Sequence, residues 1–187
     1  MSDNLLPYRS SHERRYSLGE EIANGVTHGA GALLSVAALV ILVVFAVLRG
    51  NVLHVVSYAV FGSSLIVLYT MSALYPSVTN PRVKRILEIL DHSSIYVLIA
   101  GTYTAFALTA LPSALGWWIF GAEWALALAG IALKAVWFDR WKLLSVLGYV
   151  AMGWMIAPAL GHLRENLPAE SVALLAAGGV AYTAGAV

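Results

Sequence analysis

The chain has 187 residues, of which 60% are hydrophobic and 11% charged, with a formal net charge of +1. A soluble domain carries about 25% charged residues, so there is too little polar side chain to clothe a globule in water. Cysteine is absent, which removes disulfides, thiolate metal ligands and a cysteine nucleophile. The basic residues are scattered, not gathered on one face, which argues against nucleic acid as a partner.

A polar segment, residues 1–16, comes first, and the remainder, 17–187, reads as one membrane domain. Ser17 with Glu20 fits a capping box opening the first helix. The run 22–48 that follows is too long for a signal-peptide core and reads as a retained span. A bilayer core of about 30 Å needs about 20 apolar residues in a helix. On that measure five more runs qualify, at 53–75, 86–111, 117–138, 143–162 and 171–187. The breaks fall at Arg49-Gly50-Asn51, at Pro76 with Asn80-Pro81, at Pro112-Ser113, at Asp139-Arg140 and at Asn166-Leu167-Pro168. The expected fold is therefore an all-α polytopic bundle of six antiparallel spans.

Polar groups at membrane depth are the candidate functional residues. Glu21, Asn24 and His28 share one face near the start of the first helix; they either line a polar cavity or hold helices together. The close spacing of Gly25 and Gly29 is a weak signal for tight helix contact. Ser72 near the end of the second span and Asp91 and His92 near the start of the third flank a short basic loop. An antiparallel pair joined this way brings Ser72 and Asp91 to similar depth. The carboxylate there either orients a water or supports a metal ligand, or it pairs with Arg82, Lys84 or Arg85. His92, Tyr96, Ile99 and Tyr103 form a stripe along the third helix that lines a cavity or packs. Glu123 in the fourth span has no cationic partner at its level, so it either reaches the interface or keeps its proton. The last run stops at Val187, at the short end of the spanning range.

Lysine and arginine are retained on the cytoplasmic side. Placing the N-terminus inside puts Arg9, Arg14, Arg15, Arg82, Lys84, Arg85, Lys134, Arg140 and Lys142 on that side, and only Arg49 and Arg164 outside. Lys134 lies about one turn inside the membrane and is expected to snorkel to the interface.

These motifs together resemble the hemolysin III family, the bacterial branch of the progestin and adipoQ receptor family. The resemblance runs from about Tyr16 to the end and rests on several ordered motifs. Glu21, Asn24 and His28 belong to the first, an ExxNxxxH opening. Then come Ser72-Ala73-Leu74-Tyr75, Leu90-Asp91-His92-Ser93-Ser94-Ile95-Tyr96, and Ala100-Gly101-Thr102-Tyr103-Thr104. Trp124 with Gly130 and Lys134, the stretch from Tyr149 to Trp154, and that from Gly178 to Thr183 complete the pattern.

The resemblance implies seven helices in the inner (plasma) membrane, a cytoplasmic N-terminus, and a zinc ion near the cytoplasmic helix ends of complete relatives. Ser72 and Asp91 match the family's serine and aspartate. Pro76 stands where the pattern has a histidine ligand, and an HxxxH pair on the seventh helix would fall beyond Val187. The chain therefore reads as truncated before that helix, with no metal or other cofactor expected in it. The implied role is non-enzymatic, in membrane homeostasis or in cytolysis and pore formation, with lipid and copies of itself as partners. The alternatives are a zinc-dependent hydrolase of a lipid amide or ester, which would need ligands from elsewhere, and a non-functional fragment of one.

Overall fold

In the computed structural model, which describes residues 18–137 and 142–186, the described residues are helical with short connections. The helices are α1 (Leu18–Arg49), α2 (Val52–Ser77), α3 (Pro81–Ala110), α4 (Ser113–Trp137), α5 (Lys142–Gly153), α6 (Leu160–Asn166) and α7 (Ala169–Ala186), with a 3-10 turn at Ala157–Ala159. Five segments are long and apolar enough to cross a membrane: Ile22–Arg49, Val52–Ser77, Pro81–Ala110, Ser113–Val136 and Leu143–Asn166. The sixth expected run is α7, 18 residues long. The polar 1–16 segment, Ser17 of the capping box and the Asp139-Arg140 break lie outside the described residues.

Two of the sequence breaks double as helix caps. Asn51 Oδ1 accepts from the backbone N–H groups of Leu53 (2.9 Å) and His54 (3.2 Å). Asn80 Oδ1 does the same for Arg82 (3.0 Å) and Val83 (3.3 Å), with Pro81 in the first turn, where its missing N–H is harmless. Pro76 is not itself a break, because α2 runs through it to Ser77. So close to the helix end, the one N–H that proline removes would have served the Ser72 carbonyl, four residues back.

Packing follows the order of the chain: α1 lies on α2, α2 on α3, and α3 on α4, while α5 reaches α3, α4 and α7. The most apolar span is the outermost. In α1 the best window has a mean hydropathy of 3.0 and only 11% of it is buried, whereas in α3 the values are 1.3 and 56%. In lipid an apolar side chain gains little by facing protein, so helix interfaces take small and hydroxyl residues. The buried face of α3 has that composition, with Ser93, Ser94, Ala100, Gly101, Thr104, Ala105 and Ala107 beside Tyr96 and Tyr103. Close approach comes from Gly62, whose absent side chain leaves room for Leu39, and from Gly130, which accommodates the Tyr96 ring. It does not come from the Gly25 and Gly29 pair, where an added methyl would meet nothing within 4 Å.

The fifth span departs from the expected continuous helix. It breaks after Gly153 and resumes at Leu160. Pro158 is the cause: it has no N–H for the Trp154 carbonyl, and its ring crowds the preceding turn. Tighter bonds bridge the gap, from Met155 N–H to the Met152 carbonyl (3.0 Å), Ala157 N–H to the Trp154 carbonyl (3.0 Å) and Ala159 N–H to the Ile156 carbonyl (2.8 Å). The Tyr103 hydroxyl completes the bridge from α3, donating to the Gly153 carbonyl (2.8 Å) and accepting from the Ile156 N–H (2.9 Å). Non-helical backbone is tolerated at membrane depth only when protein or water satisfies it in this way.

Candidate functional site

At the end of the bundle where α1 begins, α2 ends and α3 begins, a cavity of about 160 Å³ is lined by Asn24, His28, Ser72, Tyr75, Pro76, Lys84 and Asp91. Its elements follow from the chain. The capped three-residue connection between α2 and α3 sets Ser72 and Asp91 at one depth, and the packing of α1 on α2 closes the third side.

The Ser72 hydroxyl donates to Asp91 Oδ1 in a short hydrogen bond. Two of the nearby basic residues have other neighbours: Arg85 pairs with Glu88 at 3.3 Å, and the Lys84 ammonium lies 5.6 Å from the centre of the Tyr75 ring. Asp91 is thus held by a hydroxyl from the adjacent helix while it lines the cavity. His28 packs against Tyr69, with ring centroids 5.9 Å apart, and its Nδ1 is buried with no partner.

Of the residues singled out in the sequence, Asn24, His28, Ser72, Pro76 and Asp91 come together at this cavity. Glu21 belongs to α1, but its side chain lies outside what is described. His92 is set apart; its Nδ1–H donates to the Glu88 carbonyl at 2.8 Å. The Tyr96 ring packs at a tilt against Tyr149, centroids 4.5 Å apart, and the Tyr149 hydroxyl donates to the His92 carbonyl at 2.9 Å. Tyr103 serves the break in the fifth span. Tyr75, the last residue of the Ser72-Ala73-Leu74-Tyr75 motif, and Lys84, a candidate partner of Asp91, also line the cavity. Their signal is spacing, since Tyr75 is three residues after Ser72 and Lys84 seven before Asp91, each on its neighbour's helix face.

A larger cleft of about 600 Å³ between α4 and α5 is lined mainly by apolar groups, with Tyr96, Lys134 and Ser145 among them. Lys134 does not snorkel to an interface; it is only 5% exposed and enclosed by protein.

Ser72 and Asp91 are expected to be energetically coupled. Ser72→Ala and Asp91→Ala should each destabilise the bundle by about 1 kcal/mol, the usual net worth of one hydrogen bond. The double variant should lose clearly less than the sum. Denaturant melts of the four proteins in one detergent check this, and strict additivity would mean that the contact contributes nothing.

The zinc that the resemblance implies does not fit the donor set. Among the described residues no group of three or more His, Asp and Glu is placed to hold a metal ion. The cavity offers one imidazole, one carboxylate already engaged by Ser72, and a proline ring at the position of the family's histidine.

Comparison with known proteins agrees with the motifs. Residues 16–187 match a family described as Haemolysin-III related. The chain is 46% identical over 168 residues to Hemolysin-3 of Bacillus cereus, an alignment that covers 90% of this chain and 77% of that one. It is 45% identical over 172 residues to a Hemolysin-3 homolog of Bacillus subtilis, covering 92% and 81%. No solved structure matches.

Proposed function

This chain belongs to the haemolysin-III-related family and is a multi-pass helical membrane protein; from that premise we propose that it acts on membrane permeability without catalysis. The observation that carries the reading is the inner-end cavity. It keeps the family's Ser72 and Asp91 but puts Pro76, which has no lone pair for a metal, where a ligand would stand. Polar side chains in that state hold helices together instead of activating water.

The cavity sits at one end of the helices and is small, so permeation requires several copies to associate around a shared path. The surface offered to lipid includes α1, which exposes Leu33, Leu34 and Leu48 by more than two thirds (75%, 71% and 73%), and Trp118 of α4, Leu143 of α5 and Leu174 of α7. We place the protein in the plasma membrane with its N-terminus in the cytoplasm. Nine of eleven Lys and Arg fall on that side.

Purified protein added to dye-loaded liposomes is expected to release dye with a steep dependence on protein concentration, as self-association demands. Metal chelators should leave the release unchanged. Protein that inserts fully yet releases nothing would sink the proposal.

A second reading is favoured by the pairing of Ser72 with Asp91 next to an unpartnered His28 nitrogen. It is a hydrolase of lipid amides or esters whose metal ligands come from outside the described residues. Stoichiometric zinc in the purified protein, together with hydrolysis lost in Asp91→Asn, would establish it over the first.

A further inference from the structure

Away from the inner-end cavity, the bundle buries a carboxylate completely. Glu123 on α4 is 0% exposed, and neither of its carboxylate oxygens has a hydrogen-bond partner. It lies ten residues into a helix that starts at Ser113, or about 15 Å along the axis, close to the middle of a bilayer core of about 30 Å. It therefore does not reach the interface.

Its surroundings are specific. Trp124, the next residue on α4, donates from Nε1 to Thr104 Oγ1 at 3.0 Å, which sets Glu123 level with Tyr103 of α3, and both Tyr103 and Tyr182 of α7 couple electrostatically with the carboxylate. Both tyrosines converge on the same residue of the broken span: the Tyr103 hydroxyl bonds the Gly153 carbonyl, and the Tyr182 ring lies where a side chain on Gly153 would touch it, at 3.5 Å. A hydrogen bond from Trp154 Nε1 to Thr183 Oγ1 (3.0 Å) holds α7 against this region. The Tyr182 hydroxyl is itself buried with no partner. Tyr149 of α5 also couples electrostatically with Tyr182.

Two unpartnered oxygen-bearing groups thus approach one interruption in a membrane helix. An unpaired buried polar atom costs about as much as a lost hydrogen bond, and an isolated buried charge costs far more. Interrupted helices near the midplane are where membrane proteins coordinate small ions, because backbone and side-chain oxygens there are free of the helical ladder. We propose that Glu123 and Tyr182 form a monovalent-cation site at the break in the fifth span. The bound cation is either a proton, which forms the O–H bond of the neutral acid, or a sodium ion seated against the carboxylate. When sodium replaces the proton, the proton leaves to water and the net charge of the site is unchanged.

Dicyclohexylcarbodiimide, which modifies protonated carboxyl groups in apolar surroundings, is the probe. The purified full-length chain is treated across a pH series in sodium chloride or choline chloride, and modification at Glu123 is mapped by mass spectrometry. Labelling that is strong at neutral pH, falls as pH rises and is equal in both salts identifies the proton as occupant. Labelling suppressed several-fold by sodium but not by choline identifies sodium.

Infrared spectra of the same samples supply a readout that does not need the reagent to reach the site. A carboxylic-acid band that Glu123→Gln removes supports the proton, and a carboxylate band shifted by sodium supports the metal. Labelling indifferent to both pH and salt overturns the proposal, as does its absence together with no band sensitive to Glu123→Gln. Tyr182→Phe is expected to move the labelling midpoint up, because it withdraws a buried hydroxyl dipole from the surroundings of the carboxylate. An unmoved midpoint removes Tyr182 from the site.

Discussion

Gly116→Ala is expected to destabilise the bundle by about 3 kcal/mol or more, beyond the usual range for an added methyl group in a packed core. Gly116 lies in the first turn of α4, its N–H bonded to the Pro112 carbonyl at 2.8 Å. A β-carbon there would overlap the Ala107 carbonyl oxygen of α3. Ala107 is fully buried, and the obstacle is backbone, which no rotamer change can relieve. The connection from Ala110 to Ser113 leaves little slack to move the helices apart. Gly121→Ala, one and a half turns on in the same helix, is the control, since a methyl there meets nothing within 4 Å. It should be neutral or stabilising by up to about 1 kcal/mol through helix propensity. Denaturation of both variants in detergent checks the contrast; equal midpoints would show that the helix junction yields easily.

Tyr103→Phe is the second large expected loss, at about 3 kcal/mol. The ring, only 6% exposed, keeps its packing. What disappears is the hydroxyl that serves both the Gly153 carbonyl and the Ile156 N–H. Each buried group left without a partner costs about 1–3 kcal/mol. Pro158→Ala restores a backbone donor to the interrupted turn and lets the helix close on itself, so the double variant should be less damaged than the sum of the singles. Thermal melting of the four proteins reads the coupling. A Tyr103→Phe protein as stable as its parent would show that water or another group satisfies the break.

The spans were legible because apolar runs of membrane length have few other readings: the expected 22–48 and 53–75 compare with Ile22–Arg49 and Val52–Ser77. Asn51 and Asn80, read as breaks, are also caps, because the residue that stops one helix is placed to start the next. Ser72 and Asp91 were foreseeable as neighbours from loop length alone. The interruption of the fifth span was not foreseen, although Pro158 stood in plain view. An apolar window treats Ala-Pro-Ala as continuous hydrophobic chain and is blind to the missing donor. The Gly25 and Gly29 spacing misled for a related reason, since a small residue permits a contact without supplying the partner. Glu123 was visible as an unpaired charge, but its full burial depends on the packing of α4 against α3 and α5, which no local pattern encodes.

The serial packing of α1 on α2, α2 on α3 and α3 on α4 also bears on how the protein is made. Each of α2, α3 and α4 finds its main neighbour in the helix that left the ribosome just before it, so the hairpin of α1 and α2 can form while α3 is still being synthesised. The α2–α3 pair that unites Ser72 and Asp91 needs nothing further downstream. Contacts between neighbours in sequence close fast and leave little exposed interface during biogenesis. The break in the fifth span is different, because Tyr182, whose ring lies against Gly153, follows it by 29 positions. Until α7 arrives, the nascent bundle leaves open one side of that break, which its finished form covers.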